Sequence, residues 1–61
     1  MWQKDCIGTL VRQCDNVVYS TAYNQGLSLG IVRKVTPTGF TIIDSQSGDT
    51  VFRESRFVLK L

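Results

Sequence analysis

Four cations fall in two close pairs, Arg33-Lys34 and Arg53-x-x-Arg56, and six aromatic residues are spread among β-branched ones. Guanidinium and ammonium groups hold phosphates without demanding exacting geometry. Aromatic rings stack on bases or anchor in a partner's pocket. This is the chemistry of a binding surface. Catalytic constellations are missing from the same inventory. The chain has no histidine, so Ser-His and Cys-His nucleophiles have no base, and Cys6 and Cys14 are too few to hold zinc. Asp44, Asp49 and Glu54 fall on one hairpin, but Asp49 follows Gly48 in a turn, where a carboxylate serves local hydrogen bonds. The five glycines are scattered among turns and form no phosphate-cradling loop before a helix.

The cations must be positioned by a small scaffold. A chain of 61 residues makes one domain, 1–61, and buries only roughly 60% of the surface its unfolded form exposes. The apolar content of 43% is that of a globular chain, and seven Lys and Arg against five Asp and Glu leave a net charge of +2. That balance is compatible with a polyanionic partner without demanding one. No apolar run approaches the roughly 18–20 residues of a membrane span, and no apolar stretch of signal-peptide type follows Met1–Asp5. A cytoplasmic location with no membrane partner is therefore expected. In that setting Cys6 and Cys14 are read as reduced, partly buried thiols, with a disulfide in a secreted domain as the alternative.

From Asn16 onward the pattern is that of strands. Val17, Val18, Tyr19, Thr21 and Tyr23 form a first run that Asn24-Gln-Gly26 closes. Leu27 to Thr36 is a second, Phe40 to Ser45 a third, Thr50 to Glu54 a fourth and Phe57 to Leu61 a fifth. Pro37-Thr-Gly39 and Gln46-Ser-Gly-Asp49 supply tight turns. The expected fold class is all-β, a five-stranded SH3-like barrel, because so small a sheet avoids exposed edges by curling. Residues 1–14 form a cap segment. Cys6, Ile7, Leu10, Val11 and Cys14 recur at helical spacing behind Asp5, which favours a short helix over one open end. Gly8 and Thr9 weaken that helix, and an edge strand at Ile7–Arg12 is the alternative.

Val32 and Val35 break the strand alternation by standing three apart. A β-bulge at Arg33-Lys34 reconciles the spacing, since one extra residue lets a long strand bend and resets which side chains face inward. Val32 and Val35 then both point into the core, and the two cations are pushed outward. Gly30, just before them, suits a close approach of backbone to a neighbouring strand.

The segment Gly30-x-Val32-x-x-Val35, followed by a Gly turn and Phe40-x-Ile42, resembles the KOW motif of SH3-like barrels in ribosomal and transcription-elongation proteins. The longer path Asp15-x-Val17-x-Tyr19, Leu29-Gly30-x-Val32 and Thr36-Pro-Thr-Gly-Phe40 is similar to small proteins of tailed bacteriophages. Those commonly show a Gly-Asp-x-Val-x-Tyr opening and an Ile-Thr-Pro-Lys-Gly turn. Cys14 stands for the first Gly and Thr38 for the Lys, which removes a turn cation. The resemblance implies an accessory viral protein, in the host cytoplasm, acting on transcription, translation or defence.

The expected function is non-enzymatic binding with no cofactor and no metal. The first reading is a nucleic acid, DNA or RNA, or a machine carrying one, with Arg33, Lys34, Arg53 and Arg56 on phosphates. The second is an adaptor or inhibitor docking on one host protein through Tyr23, Phe40 and an exposed sheet edge, with Trp2 as a further contact. A third class, the subunit of a homo-oligomer, fits a marginal core. Phe52 and Phe57 are expected inside the barrel, and Tyr19 half-buried.

Overall fold

A computed structural model describes residues 2–21 and 26–61. Among the described residues seven strands follow one another: Gln3–Lys4 (β1), Leu10–Val11 (β2), Asn16–Ser20 (β3), Leu27–Val35 (β4), Gly39–Asp44 (β5), Thr50–Glu54 (β6) and Val58–Lys60 (β7). One 3₁₀ turn, Ser55–Phe57, leads into β7. β1 pairs with β2, and the other five form an antiparallel sheet in the order β6-β5-β4-β3-β7. The expected all-β class is met: β3 to β6 form a meander, and the last strand, β7, returns beside the first of the five, β3. No helix among the described residues is long and apolar enough to cross a membrane.

The bulge is where the valine spacing requires it. Val32 lies opposite Ile42 and Lys34 opposite Thr41, with the register shifting between them. Val32 and Val35 are buried, while Arg33 and Lys34 are exposed. Gly30 is required by contact as well as by pattern: a Cβ there would overlap Ile42 Cγ2 and come 2.8 Å from the carbonyl oxygen of Ile43.

The N-terminal segment is not a helix. Asp5, read as a helix cap, caps a turn instead, its Oδ1 accepting the N–H groups of Ile7 (3.0 Å) and Thr9 (2.8 Å). Its backbone N–H also donates to the carbonyl of Thr9, and Gly8 takes a φ of 85° that a helix does not tolerate. The result is a small hairpin carrying β1 and β2, closer to the edge-strand alternative. Of the five residues at helical spacing only Val11 is buried, so that spacing marked no apolar stripe.

The core consists of Val11, Val17, Tyr19, Val32, Val35, Phe40, Ile42 and Val58, with Val51 packed against it. Three aromatic assignments reverse. Phe40 is fully buried, whereas Phe52 and Phe57 are exposed. The reason is parity: β5 turns Phe40, Ile42 and Asp44 inward, and β6 pairs Phe40 with Arg53 and Thr41 with Phe52. The inward residues of β6 are thus Val51 and Arg53. Tyr19 is buried rather than half-buried, and Tyr23 lies outside the described residues. Cys6 and Cys14 are free thiols, both exposed rather than partly buried.

Cys14 has φ 75°, a left-handed conformation that costs a residue with a Cβ about 1–2 kcal/mol relative to glycine. Cys14→Gly should therefore stabilise the fold by about 1 kcal/mol, a rise of several degrees in thermal midpoint for a domain this size, read by differential scanning calorimetry. Val32→Asp should abolish cooperative unfolding by placing an unpaired charge in the core, while Arg33→Asp should keep it, as followed by circular dichroism.

Candidate functional site

The bulge places Arg33 and Lys34 side by side on the outside of β4, and a second segment is fastened against it. The N–H of Cys14 donates to the carbonyl of Val32 (2.7 Å), and the N–H of Val32 donates to the carbonyl of Asp15 (2.9 Å). The turn from Arg12 to Asp15 is closed by the Asp15 N–H on the Arg12 carbonyl and by the Arg12 N–H on Asp15 Oδ2 (2.8 Å). Arg12, exposed, is thereby carried to the same end of the barrel. Gln3 holds a third segment there, its Nε2 donating to the carbonyl of Pro37 (2.7 Å), just past β4. Trp2, next in the chain, is 58% exposed.

Arg12, Arg33 and Lys34 make no ion pair; the one salt bridge among the described residues joins Arg56 to Glu54 at 3.2 Å. Arg33 and Lys34 on the bulge, Arg12 on the turn fastened to it and the exposed Trp2 on the segment tied to Pro37 are groups that can take phosphates and stack a base.

The other two expected cations are placed differently. Arg53 points to the core side of β6, where its Nε donates to the carbonyl of Ser20 (2.8 Å) and Nη1 to that of Phe52 (2.7 Å). Its guanidinium lies 5.5 Å from the centre of the Tyr19 ring. Arg53 is a strut from β6 to β3 across the side of the sheet where no ladder forms. Arg56 pairs with Glu54 and covers the Phe57 ring at 4.7 Å. The four-cation surface does not assemble, because the inward parity of β6 takes Arg53 away from it. Phe40, in the core, is no partner anchor.

Arg12 is the residue that sequence reasoning missed. Its placing rests on Cys14 and Asp15 meeting Val32 on another strand, and no local pattern marks that contact.

Asp44 is the most heavily hydrogen-bonded carboxylate and contacts none of these cations. Its Oδ2 accepts from the Tyr19 hydroxyl and from Ser28 Oγ (2.9 Å), and its Oδ1 accepts the N–H groups of Gln46 (2.8 Å) and Ser47 (2.9 Å). The Tyr19 hydrogen bond, followed by those backbone N–H groups and Ser28, holds the carboxyl well below the ordinary carboxylate range. Burial first, and then the same hydrogen bond, pushes the Tyr19 phenol up. A carboxylate with both oxygens engaged and so weak a basicity is a poor proton acceptor, and its role is structural. No group of three or more metal-ligating side chains gathers among the described residues.

Compared with known proteins, the chain matches no family model, no curated protein and no solved structure.

A carboxyl held below its unfolded value of 3.8 contributes stability that is present at neutral pH and fades as pH falls through that value towards the lower folded one. Asp44→Asn should lower the thermal midpoint at neutral pH. The gap between variant and wild type should narrow between about pH 5 and pH 2, as thermal melts across that range will show.

Proposed function

We propose that this protein is a non-enzymatic binding module that holds the phosphate backbone of a nucleic acid. Arg33, Lys34 and Arg12 are the phosphate contacts, and Trp2 beside them is a stacking platform for an unpaired base. The observation that carries this reading is the bulge itself, which extrudes two adjacent cations with no anionic partner, next to a turn that brings a third. The likeness of residues 30–44 to the KOW segment supports the same class of partner, and the likeness to small phage proteins supports an accessory role on host transcription, translation or defence. Docking on one host protein through Tyr23 and Phe40 is less supported, because Phe40 is inside the core.

Three phosphate contacts make a weak binder that is strongly sensitive to salt. Each neutralised phosphate releases condensed counterion, so the slope of log K against log salt should be on the order of −3. Fluorescence anisotropy with labelled duplex DNA, single-stranded DNA and RNA at low salt measures it. The double variant Arg33→Ala, Lys34→Ala should make the slope shallower by about two units and weaken all sequences about equally. Arg12→Ala should make it shallower by about one. Arg53→Ala should lower the thermal midpoint and leave the slope unchanged. Absence of binding to every probe at high micromolar protein would overturn the proposal.

A further inference from the structure

The outward side of β3, the first half of β4 and β7 carries no charged residue. Val18 on β3 lies directly between Leu29 on β4 and Leu59 on β7 in the strand register, so the three form one row across the sheet. Ile31 extends the face towards its cross-strand partner Ile43 on β5, and Leu27 extends it the other way, beside Ser20. Leu27 is 76% exposed and Leu29 52%. The register shifts at the bulge just past Ile31, and the exposed Arg33 and Lys34 border the face there.

We propose that this face seats a second copy of the chain in a two-fold symmetric dimer. Three observations select that occupant. The first is area: with Phe57 and Leu59, these side chains expose on the order of 500 Å² of apolar surface, towards the upper end of the largest patch a typical monomer shows. Doubled across a two-fold axis, that reaches the roughly 1,000 Å² at which specific interfaces begin.

The second is shape. Leu27 forms a wall of two shallow hollows, one of about 290 Å³ that it shares with Val18, Arg56, Phe57 and Leu59, the other of about 220 Å³ shared with Ser28, Leu29, Ser45 and Gln46. A two-fold contact needs a knob and a hollow on one surface, so that each copy's knob enters the other's hollow. Leu27 and its neighbours supply both.

The third is charge. The face itself is neutral, and the cation at its rim, Arg56, is already balanced by Glu54. The apolar row and its balanced rim therefore set no like charges against each other when two copies meet.

The test uses the wild-type protein alone. Sedimentation velocity over a concentration series should show a species of twice the chain's mass, with dissociation in the range of roughly 1–100 µM for an interface of this size. Leu29→Glu should weaken the dimer at least a hundredfold while the near-ultraviolet circular dichroism of the folded chain is kept. Methyl NMR of the wild type gives a readout that does not depend on the variant. Leu27, Leu29 and Leu59 should shift with concentration, and Ile7 and Leu10 on the β1–β2 hairpin should not. A wild type that stays monomeric at millimolar concentration would overturn the proposal and leave the face to a foreign partner. So would a dimer indifferent to Leu29→Glu.

Discussion

A charged carboxylate can sit at the edge of so small a core only if every lone pair facing inward is met. Asp44 is in that position at the end of β5. Its four donors come from β3, β4 and the turn after β5, so a single group ties three consecutive segments together. Gly30 makes the arrangement possible. It pairs with Asp44 across the ladder, and a side chain there would press on the Tyr19 ring, with its Cβ 3.3 Å from Cε1. The phenol can pass over the glycine only because nothing projects from it. Arg53 then stacks on the far side of the same ring and reaches Ser20, which joins β6 to β3 without a ladder. The curvature of the sheet follows this chain of contacts from Arg53 through Tyr19 to Asp44.

Asp5 repeats the device at the other end of the molecule. Its carboxylate accepts from Ile7 and Thr9 in the turn and from the backbone N–H of Lys60 (2.8 Å) on β7. Burial pushes this carboxyl up, but the hydrogen bonds from Lys60, Thr9 and Ile7 together outweigh it and leave the group below its ordinary value. The cap segment is thus bound to the sheet by these polar contacts and by Val11 in the core, while Ile7 and Leu10 stay in solvent.

What could be read from the sequence was local. The turn residues and the odd spacing of Val32 and Val35 specify the meander and its bulge, because each depends on neighbours a few positions away. The aromatic assignments failed where parity was undetermined: Val51 and Phe52 are adjacent apolar residues, and only the register against β5 decides which faces inward. The helical spacing before residue 15 misled because a capping aspartate serves a turn as readily as a helix. Arg12 and the Asp44 network were out of reach for another reason. Both depend on contacts between segments well separated in the chain, such as the 25 residues from Tyr19 to Asp44. Of the candidate site, the pair extruded by the bulge and Trp2 were legible, and Arg12 was not.

The hydrogen bond from Lys60 to Asp5 spans 55 positions, and β7 can dock on β3 only after Lys60 exists as free chain. On the ribosome, the segments up to β6 emerge first and can form their hairpins while the slot beside β3 stands empty. During that interval β3 presents an unpaired edge, open to capture by any neighbouring nascent strand. The hazard of misassembly for this fold therefore belongs to translation and ends when the last strand clears the exit tunnel. Moving β7 ahead of β3 by circular permutation would close the slot early.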